Sequence, residues 1–274
     1  MMKRNWRFLK RSLKRFLKNI LGEEALKFLI SIKVKLFSES EADSLIRRKK
    51  FYSSFIKKGD LCFDVGSNLG NRIDPLLQIE AKVLAVEPQK SCYEFLNNKY
   101  GDRIILVTKG LSDKEQVKKF YISNVSTNSS FSEEWINAVK AERFKEYRWD
   151  DVAEIEMTTL DKLILEYGVP VFVKIDVEGY ELEVLKGLSI PINLISFEYT
   201  TPEQTAKAID CITQIQKANK NIECNYSIGD SMEFELKSWL PVNQMKEHIL
   251  SKYFINTAFG DIYVRTKESD NFGG

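Results

Sequence analysis

A regular alternation of short apolar strands and amphipathic helices is the feature that most constrains how this chain folds. The predicted strands are LCFDV, KVLAVEP, RIILVTKGLSD, FVKIDV and NLISFEYT; the predicted helices cover 23–36, 40–56, 72–79, 91–100 and a segment opened by Thr201 and Pro202. Such alternation is typical of an α/β fold whose mostly parallel sheet is covered on both faces. Two final strands, in 226–236 and 259–266, need no crossover helix, so we expect them to pair antiparallel.

Residues 123–150 interrupt this rhythm. The segment is polar at first, then carries Trp135, Phe144, Tyr147 and Trp149, and it is too long for a simple connection. We interpret it as an insertion over the carboxyl ends of the strands, where α/β sheets bind their substrates.

The positive charge is concentrated at the start of the chain. Residues 1–20 contain eight Lys and Arg and no acid, whereas the whole chain carries +2, so the remainder is net acidic. Apolar residues there recur every three or four positions, which predicts a basic amphipathic helix. We predict a helical extension over 1–58 and a main domain over 59–268. The basic helix either packs on that domain, contacts an anionic membrane peripherally or binds nucleic acid; the acidic remainder argues against nucleic acid.

Cysteine usage and hydropathy indicate the compartment. The four cysteines form no C-x-x-C pair, and with one histidine in the chain a zinc site is not expected. Reduced thiols are typical of a cytosolic protein. No apolar run approaches about 18 residues and no signal-peptide pattern occurs, so we expect a cytoplasmic protein, at most peripheral on the inner face of the membrane.

A glycine loop after the first predicted strand indicates the class of ligand. DVGSNLG has Gly66 and Gly70 but lacks the middle glycine of a dinucleotide fingerprint. S-adenosylmethionine (SAM) has no pyrophosphate, so the looser turn suffices for it. We expect Gly66 to let the backbone approach the ligand and Asp64 to accept from its ammonium. Ser67, Asn68 and backbone N–H groups near the helix start are expected to receive its carboxylate. A purely structural turn is the alternative.

Polar residues after the next two strands suit the same ligand. Glu87 ends the second strand, where doubly wound folds place an acid on the ribose hydroxyls. The alternative is a solvated residue before Pro88. Ser112 and Asp113 follow the third strand at the usual place for adenine contacts, although SDKEQ is also ordinary turn chemistry.

Six segments together resemble a known family. FDVGSNLG, AVEP, GLSDKE, NVSTNSSF, TTLDKLI and VKIDVEGYELEVLKGL occur in the order and spacing of the FkbM-type SAM-dependent methyltransferases, over residues 61–200 and more weakly to 265. The resemblance implies a class I methyltransferase (Rossmann-like) fold, with a seven-stranded, mostly parallel sheet and an antiparallel final hairpin. It also implies SAM as methyl donor and a hydroxyl acceptor, often on a sugar or natural product. Ser67, where alanine is commoner, and GNRIDPLL depart from the family pattern.

The segment VFVKIDVEGYELEVLKG places acids where a strand becomes a helix. Asp176 and Glu178 lie two residues apart, so they point to one side if the strand continues, and Glu198 at the end of the next strand is expected to converge with them. We predict that one of the three is the general base for a hydroxyl. Ligand positioning by Asp176, helix-start charge for Glu178 and Glu181, and Mg²⁺ binding stay open as alternatives, and our prediction is no metal.

The predicted function is a SAM-dependent O-methyltransferase that acts on a hydroxyl of a saccharide, glycolipid or related natural product. An RNA methyltransferase on the same fold and a non-catalytic SAM-binding module are the alternatives. The glycine loop, Glu87 and Asp176 argue against the second of these. Lys174 has the strand parity of Asp176 and is a candidate partner for it, and His248 is expected on a surface helix without a catalytic role.

Overall fold

The computed structural model describes residues 40–142 and 146–267. The chain divides into two compact units, Met1–Ser44 and Leu45–Gly274. The predicted basic helix in 1–20 and the predicted helix 23–36 lie outside the described residues. Within the part of the chain that is described, no helix has the length and apolarity needed to cross a membrane.

The strands and helices follow each other much as the alternation predicts. The strands are β1 (Leu61–Val65), β2 (Lys82–Val86), β3 (Ile105–Val107), β4 (Gly110–Leu111), β5 (Gln116–Ile122), β6 (Asp151–Thr158), β7 (Phe172–Ile175), β8 (Leu194–Thr200), β9 (Ile222–Ile228), β10 (Leu240–Pro241) and β11 (Phe259–Thr266). The helices are α1 (Glu41–Tyr52), α2 (Ile73–Gln78), α3 (Lys90–Tyr100), α4 (Glu133–Glu142), α5 (Leu160–Tyr167), α6 (Glu181–Lys186), α7 (Thr205–Ala218), α8 (Val242–Ile249) and α9 (Lys252–Ile255). Short 3-10 turns cover Gly101–Arg103 and Ser126–Asn128.

The main sheet has the order β10-β9-β11-β8-β7-β1-β2-β3. Strands β3, β2, β1, β7 and β8 run parallel, and β11 pairs antiparallel with both β8 and β9. The class I methyltransferase arrangement of seven strands is therefore confirmed, including its antiparallel final pair. The short β10 adds an eighth strand that the sequence pattern did not predict.

Helices cover both faces of this sheet because its strands are apolar on both sides. In β1, Phe63 belongs to a core shared with α5, α6, α7 and α8. Its neighbour Cys62 belongs to a second core shared with α1, α2 and α3. The second core includes Phe51 and Tyr52 of α1. All four cysteines are buried free thiols.

Several boundaries differ from the sequence prediction. The first of the two final strands, predicted over 226–236, is β9 over Ile222–Ile228. The predicted third strand, 103–113, is divided between β3 in the main sheet and β4 in a second sheet of order β4-β6-β5. The helix predicted to open at Thr201 begins at Thr205 instead. A cis peptide bond joins Thr201 to Pro202, and a turn that includes the bond from the Gln204 N–H to the Thr200 carbonyl precedes the helix.

The segment 123–150 connects β5 to β6, which pair antiparallel up to Ile122 and Asp151. It contains the turn Ser126–Asn128 and helix α4, and Trp135 and Trp149 of this segment belong to a small apolar cluster. The segment therefore extends from the end of a hairpin rather than from the main sheet.

Candidate active site

A cavity of about 230 Å³ opens at the carboxyl ends of the parallel strands. Because these ends meet at one edge of the sheet, four strands supply its wall. Gly66 follows β1, Glu87 follows β2, Asp176 follows β7 and Glu198 lies near the end of β8. Of the predicted site residues, seven line the cavity: Gly66, Ser67, Asn68, Glu87, Asp176, Glu178 and Glu198. Four do not: Asp64, Gly70, Ser112 and Asp113.

Gly66 brings the loops after β1 and β7 into contact. Its φ is +86°, and a Cβ at this position would lie 1.8 Å from the backbone oxygen of Asp176. The N–H of Asp176 in turn donates to the carbonyl of Val65 at 2.9 Å. Only glycine allows both the left-handed conformation and this close approach.

The backbone N–H groups of the glycine loop are used within the protein. Those of Gly66 and Ser67 donate to the Val86 carbonyl, at 2.9 and 3.1 Å. The Asn68 N–H donates to Glu87 Oε2 at 2.7 Å. These three N–H groups therefore tie the loop to β2 and to the residue after it.

Glu87 is buried and held by two backbone donors. Its Oε2 accepts from Asn68, and its Oε1 accepts from the Gln89 N–H at 2.8 Å. Burial disfavours the charged form and raises the pKa of Glu87 to about 7. A carboxylate has about four lone-pair sites, so two remain for a ligand.

Asp64 lies beneath the cavity rather than on its wall. It is 1% exposed, and its Oδ2 has no hydrogen-bond partner in residues 40–142 and 146–267. Burial raises the pKa of Asp64 to about 6. In the strand register it stands opposite Lys174. Asp64 lies inside β1, two residues before the glycine turn, and does not line the cavity.

Gly70, Ser112 and Asp113 also lie away from the cavity. Gly70 has a φ of +84° and packs against Tyr100, whose hydroxyl donates to its carbonyl at 3.2 Å. Ser112 is fully buried, and its Oγ lies 3.0 Å from Asp113 Oδ1 and 3.2 Å from the Tyr180 hydroxyl. Two preceding residues line the cavity instead, namely Gly110 and Leu111. Gly110 and Leu111 form β4 of the second sheet, and Ser112 and Asp113 follow that strand.

The three predicted catalytic acids do come together. Oxygens of Asp176, Glu178 and Glu198 all lie within 4.8 Å of one another, a spacing that also suits a divalent cation. Burial, followed by the charge of Asp176, raises the pKa of Glu178 and of Glu198 well above the usual value. Neither carboxylate accepts a hydrogen bond from any residue that the structure describes. The pair is therefore suited to holding a proton.

Asp176 is held by a buried lysine. Lys174 is 1% exposed, and its Nζ lies 3.1 Å from Asp176 Oδ2 and 2.7 Å from Asp261 Oδ1. Burial alone would lower the pKa of Lys174, but the two carboxylates outweigh it and raise that pKa. Asp261 was missed by the sequence reading. An acid inside the apolar strand FGDIYV is the signal that points to it, and in the register it stands opposite Glu198.

The loop after β7 is shaped by Glu181 and by segment 123–150. Glu181 Oε1 accepts from the N–H groups of Val177 and Gly179, both at 3.1 Å, so Glu181 fastens the loop. Glu178 adopts a left-handed φ of 51°, which is uncommon outside glycine. The Oγ of Ser130 donates to the Glu178 carbonyl at 2.7 Å.

An aromatic wall completes the cavity and was not predicted. Phe120, Phe131 and Tyr180 all line it. The ring centroids of Phe120 and Phe131 are 4.6 Å apart, and those of Phe131 and Tyr180 are 5.5 Å apart. Lys118 donates to the Tyr180 hydroxyl at 2.6 Å.

His248 lies outside the cavity, with Nε2 3.2 Å from the Tyr226 hydroxyl.

Residues 64–262 match the methyltransferase FkbM domain. The chain belongs to this family. The hexuronic acid methyltransferase AglP of Haloferax volcanii is 28% identical to it over 145 residues, which cover 52% of this chain and 55% of that protein. The chain thus spans about half the length of this curated relative.

Solved structures resemble the chain more weakly. A precorrin-6y C5,15-methyltransferase from Geobacter metallireducens has a TM-score of 0.43 at 10% identity, covering 85% of this chain and 91% of that one. The plantazolicin methyltransferase BpumL, solved with SAH, has a TM-score of 0.41 at 8% identity, covering 93% and 96%. Values this low carry no argument about the reaction.

Family membership makes residues 64–262 a SAM-dependent methyltransferase domain. The predicted family and methyl donor are thereby confirmed. The cavity fits this donor on its own features. Glu87 retains free lone pairs at the end of β2, and the acids Asp176, Glu178 and Glu198 complement the positive charge of a sulfonium.

Proposed function

We propose that the protein methylates a hydroxyl group of a saccharide, either free or within a glycolipid or related natural product, with SAM as the donor. The convergence of Asp176, Glu178 and Glu198 inside the cavity carries this proposal, because an alcohol needs a proton acceptor at the point of transfer. The name of the curated relative, a hexuronic acid methyltransferase, supports a carbohydrate acceptor.

On this proposal, donor binding falls to the loops after β1 and β2. Glu87 accepts hydrogen bonds from the ribose hydroxyls through its two remaining lone pairs. The turn at Gly66 lets the backbone approach the amino-acid part, beside the side chains of Ser67 and Asn68. Gly110 and Leu111 take the adenine end that the sequence reading gave to Ser112 and Asp113. When bound, SAM supplies a methyl group activated by its sulfonium.

The acids after β7 and within β8 handle the proton. Burial and the charge of Asp176 raise the pKa of both Glu178 and Glu198, which makes each a stronger proton acceptor than an exposed carboxylate. Asp176 positions the acceptor while Lys174 and Asp261 fix its own orientation. Alignment of acceptor and donor in a confined cavity supplies a further part of the rate.

Labelling tests the acceptor class. The full chain is incubated with methyl-labelled SAM and with separate glycan, lipid and RNA fractions. We expect label in glycan or in glycolipid. Label in RNA alone would favour the RNA methyltransferase alternative and refute the proposal. Thermal stabilisation by SAM without label in any fraction would favour a non-catalytic binding module.

We also propose that residues 1–20 contact an anionic membrane surface from the cytoplasmic side. Their eight basic residues and apolar periodicity support this, and the segment lies outside the described residues. The full chain is expected to co-sediment with phosphatidylglycerol vesicles, and a chain that begins at residue 21 is expected not to. Equal sedimentation of the two would refute the contact.

A further inference from the structure

Two arginines line the cavity and have no part in the proposed proton chemistry. Arg48 comes from α1, and Arg72 directly precedes α2, two residues after the glycine loop ends. Their side chains are only 17% and 14% exposed. Cationic side chains this withdrawn from water normally have anionic partners.

Within the described residues, their acidic partner is a single shared carboxylate. Arg72 Nη1 also lies 3.9 Å from the sulfur of Met232. Asp230 Oδ1 lies 2.8 Å from Arg72 Nη2 and 3.8 Å from Arg48 Nη2, and its side chain is 53% exposed. The Nε of Arg48 is buried and has no hydrogen-bond partner in residues 40–142 and 146–267. Burial, and then the charge of Arg72, lowers the pKa of Arg48. The two guanidinium groups thus share one half-exposed carboxylate as their acidic partner.

Two further acids near the arginines already have a cation. Asp261 and Asp176 both contact Lys174. A guanidinium carries five N–H donors in a planar fork that matches a carboxylate in two parallel hydrogen bonds. The pair therefore has donors left for one more planar anion inside the cavity.

We propose that Arg48 and Arg72 form a carboxylate-binding subsite of the cavity. Two ligands of this domain can supply that group. One is the methyl donor, whose amino-acid part ends in a carboxylate and whose glycine loop leads directly into Arg72. The other is an acidic saccharide acceptor, a uronate, and this second source rests on the proposed function.

Calorimetric titration separates the two sources. The probes are S-adenosylhomocysteine, which keeps the amino-acid part, and 5′-methylthioadenosine, which lacks it; glucuronate and glucose are then titrated into the complex with S-adenosylhomocysteine. The variants are Arg48→Gln and Arg72→Gln. Arg265→Gln is the matched control, because Arg265 pairs with Glu223 at 2.8 Å at the far end of β11.

If the donor supplies the carboxylate, both variants bind S-adenosylhomocysteine about 10- to 100-fold more weakly and 5′-methylthioadenosine as well as before. If the acceptor supplies it, S-adenosylhomocysteine binding is unchanged and the preference for glucuronate over glucose is lost. Unchanged binding of every probe in folded variants overturns the subsite. Weakened S-adenosylhomocysteine binding in a protein that binds and methylates no saccharide supports the subsite while refuting the proposed function.

Asp230→Asn keeps the proposal testable if the arginine variants do not fold. Loss of this competing carboxylate leaves both arginines free, so S-adenosylhomocysteine or glucuronate is expected to bind more tightly than to the parent protein. If the arginines serve only as a structural pair for Asp230, this variant loses stability and gains no affinity. Weaker probe binding in a folded Asp230→Asn protein therefore overturns the subsite.

Discussion

The loops after β2 and β7 deliver carboxylates to the same cavity but hold them in different ways. Glu87, after β2, accepts hydrogen bonds from two backbone N–H groups. Glu178, after β7, accepts none from the described residues. Burial raises the pKa of both. A carboxylate fixed on two sides is suited to binding a ligand at a set place, whereas one without fixed donors is suited to exchanging a proton.

The same contrast occurs within one short loop. Glu181, three residues after Glu178, accepts from the N–H groups of Val177 and Gly179 and so resembles Glu87. Glu178 stands between Val177 and Gly179 in a left-handed conformation. Two acids that are close in the sequence can therefore have different roles in the site, and the backbone N–H donors around each carboxylate distinguish them.

The largest loss of folding stability is expected where the loop after β1, at Gly66, contacts the loop after β7, at Asp176. In Gly66→Ala, the new Cβ meets the Asp176 backbone oxygen, so we expect a loss of at least about 4 kcal/mol or no folded protein. Gly59→Ala is the control, since Gly59 has nearly the same φ, +85°, with nothing within 4 Å. Urea unfolding measures both. Equal losses would show that conformation alone, and not the close approach, matters at Gly66.

Removing the unfixed carboxylates should affect turnover rather than donor binding. Glu178→Gln and Glu198→Gln are expected to lower methyl transfer by about 10²- to 10⁴-fold with S-adenosylhomocysteine affinity unchanged, because a general base contributes that much. Glu183→Gln is the control, because Glu183 is half-buried on α6, pairs with Lys186 and does not line the cavity. Parent-like turnover in both test variants would show that neither carboxylate takes the proton.

The fixed carboxylate Glu181 should affect stability and its pH dependence. Its pKa is raised by burial from 4.5 to about 7, so between these values the folded state binds more protons than the unfolded state. The unfolding free energy of the parent, relative to Glu181→Gln, should therefore fall as pH rises from about 4.5 to about 7, by on the order of 1 kcal/mol or more. Urea unfolding across this range tests it. A relative stability that rises with pH contradicts the assignment.

The smallest change in stability and turnover is expected when the hydrogen bond that Ser130 donates to the Glu178 carbonyl is removed. Ser130→Ala removes the hydrogen bond to the Glu178 carbonyl, so we expect about 1 kcal/mol less stability and up to about 10-fold slower transfer. Ser54→Ala removes a comparable bond, from Ser54 Oγ to the Phe51 carbonyl at 2.6 Å, away from the cavity. A transfer rate lowered equally in both variants would mean that Ser130 does not act through Glu178.

Much of the fold was predictable because each strand and turn has a local signal. The apolar runs around Phe63 and Val173, and the glycine at 66, mark the strand ends that build the cavity. The convergence of Asp176, Glu178 and Glu198 followed from parallel strand order alone. The split between β3 and β4 was not predictable, since a two-residue strand in another sheet leaves almost no pattern.

The finer parts of the site depend on contacts between distant segments. Arg48, Asp230 and Asp261 meet at the cavity from elements far apart in the chain, so no motif spacing reveals them. Asp64 and Ser112 were predicted to contact the ligand, yet both are buried and neither lines the cavity. The aromatic wall likewise depends on a distant contact, because Phe131 of segment 123–150 packs against Tyr180 of the loop after β7.

The position of the transferred methyl group tests the central claim most directly. The saccharide product of the reaction with ¹³C-methyl SAM is purified, and the labelled carbon is located by NMR. The account predicts a methyl ether on a saccharide hydroxyl, since Glu178 and Glu198 are proposed to take the proton that a hydroxyl must lose. A methyl ester on a carboxylate, which needs no proton acceptor, would contradict it.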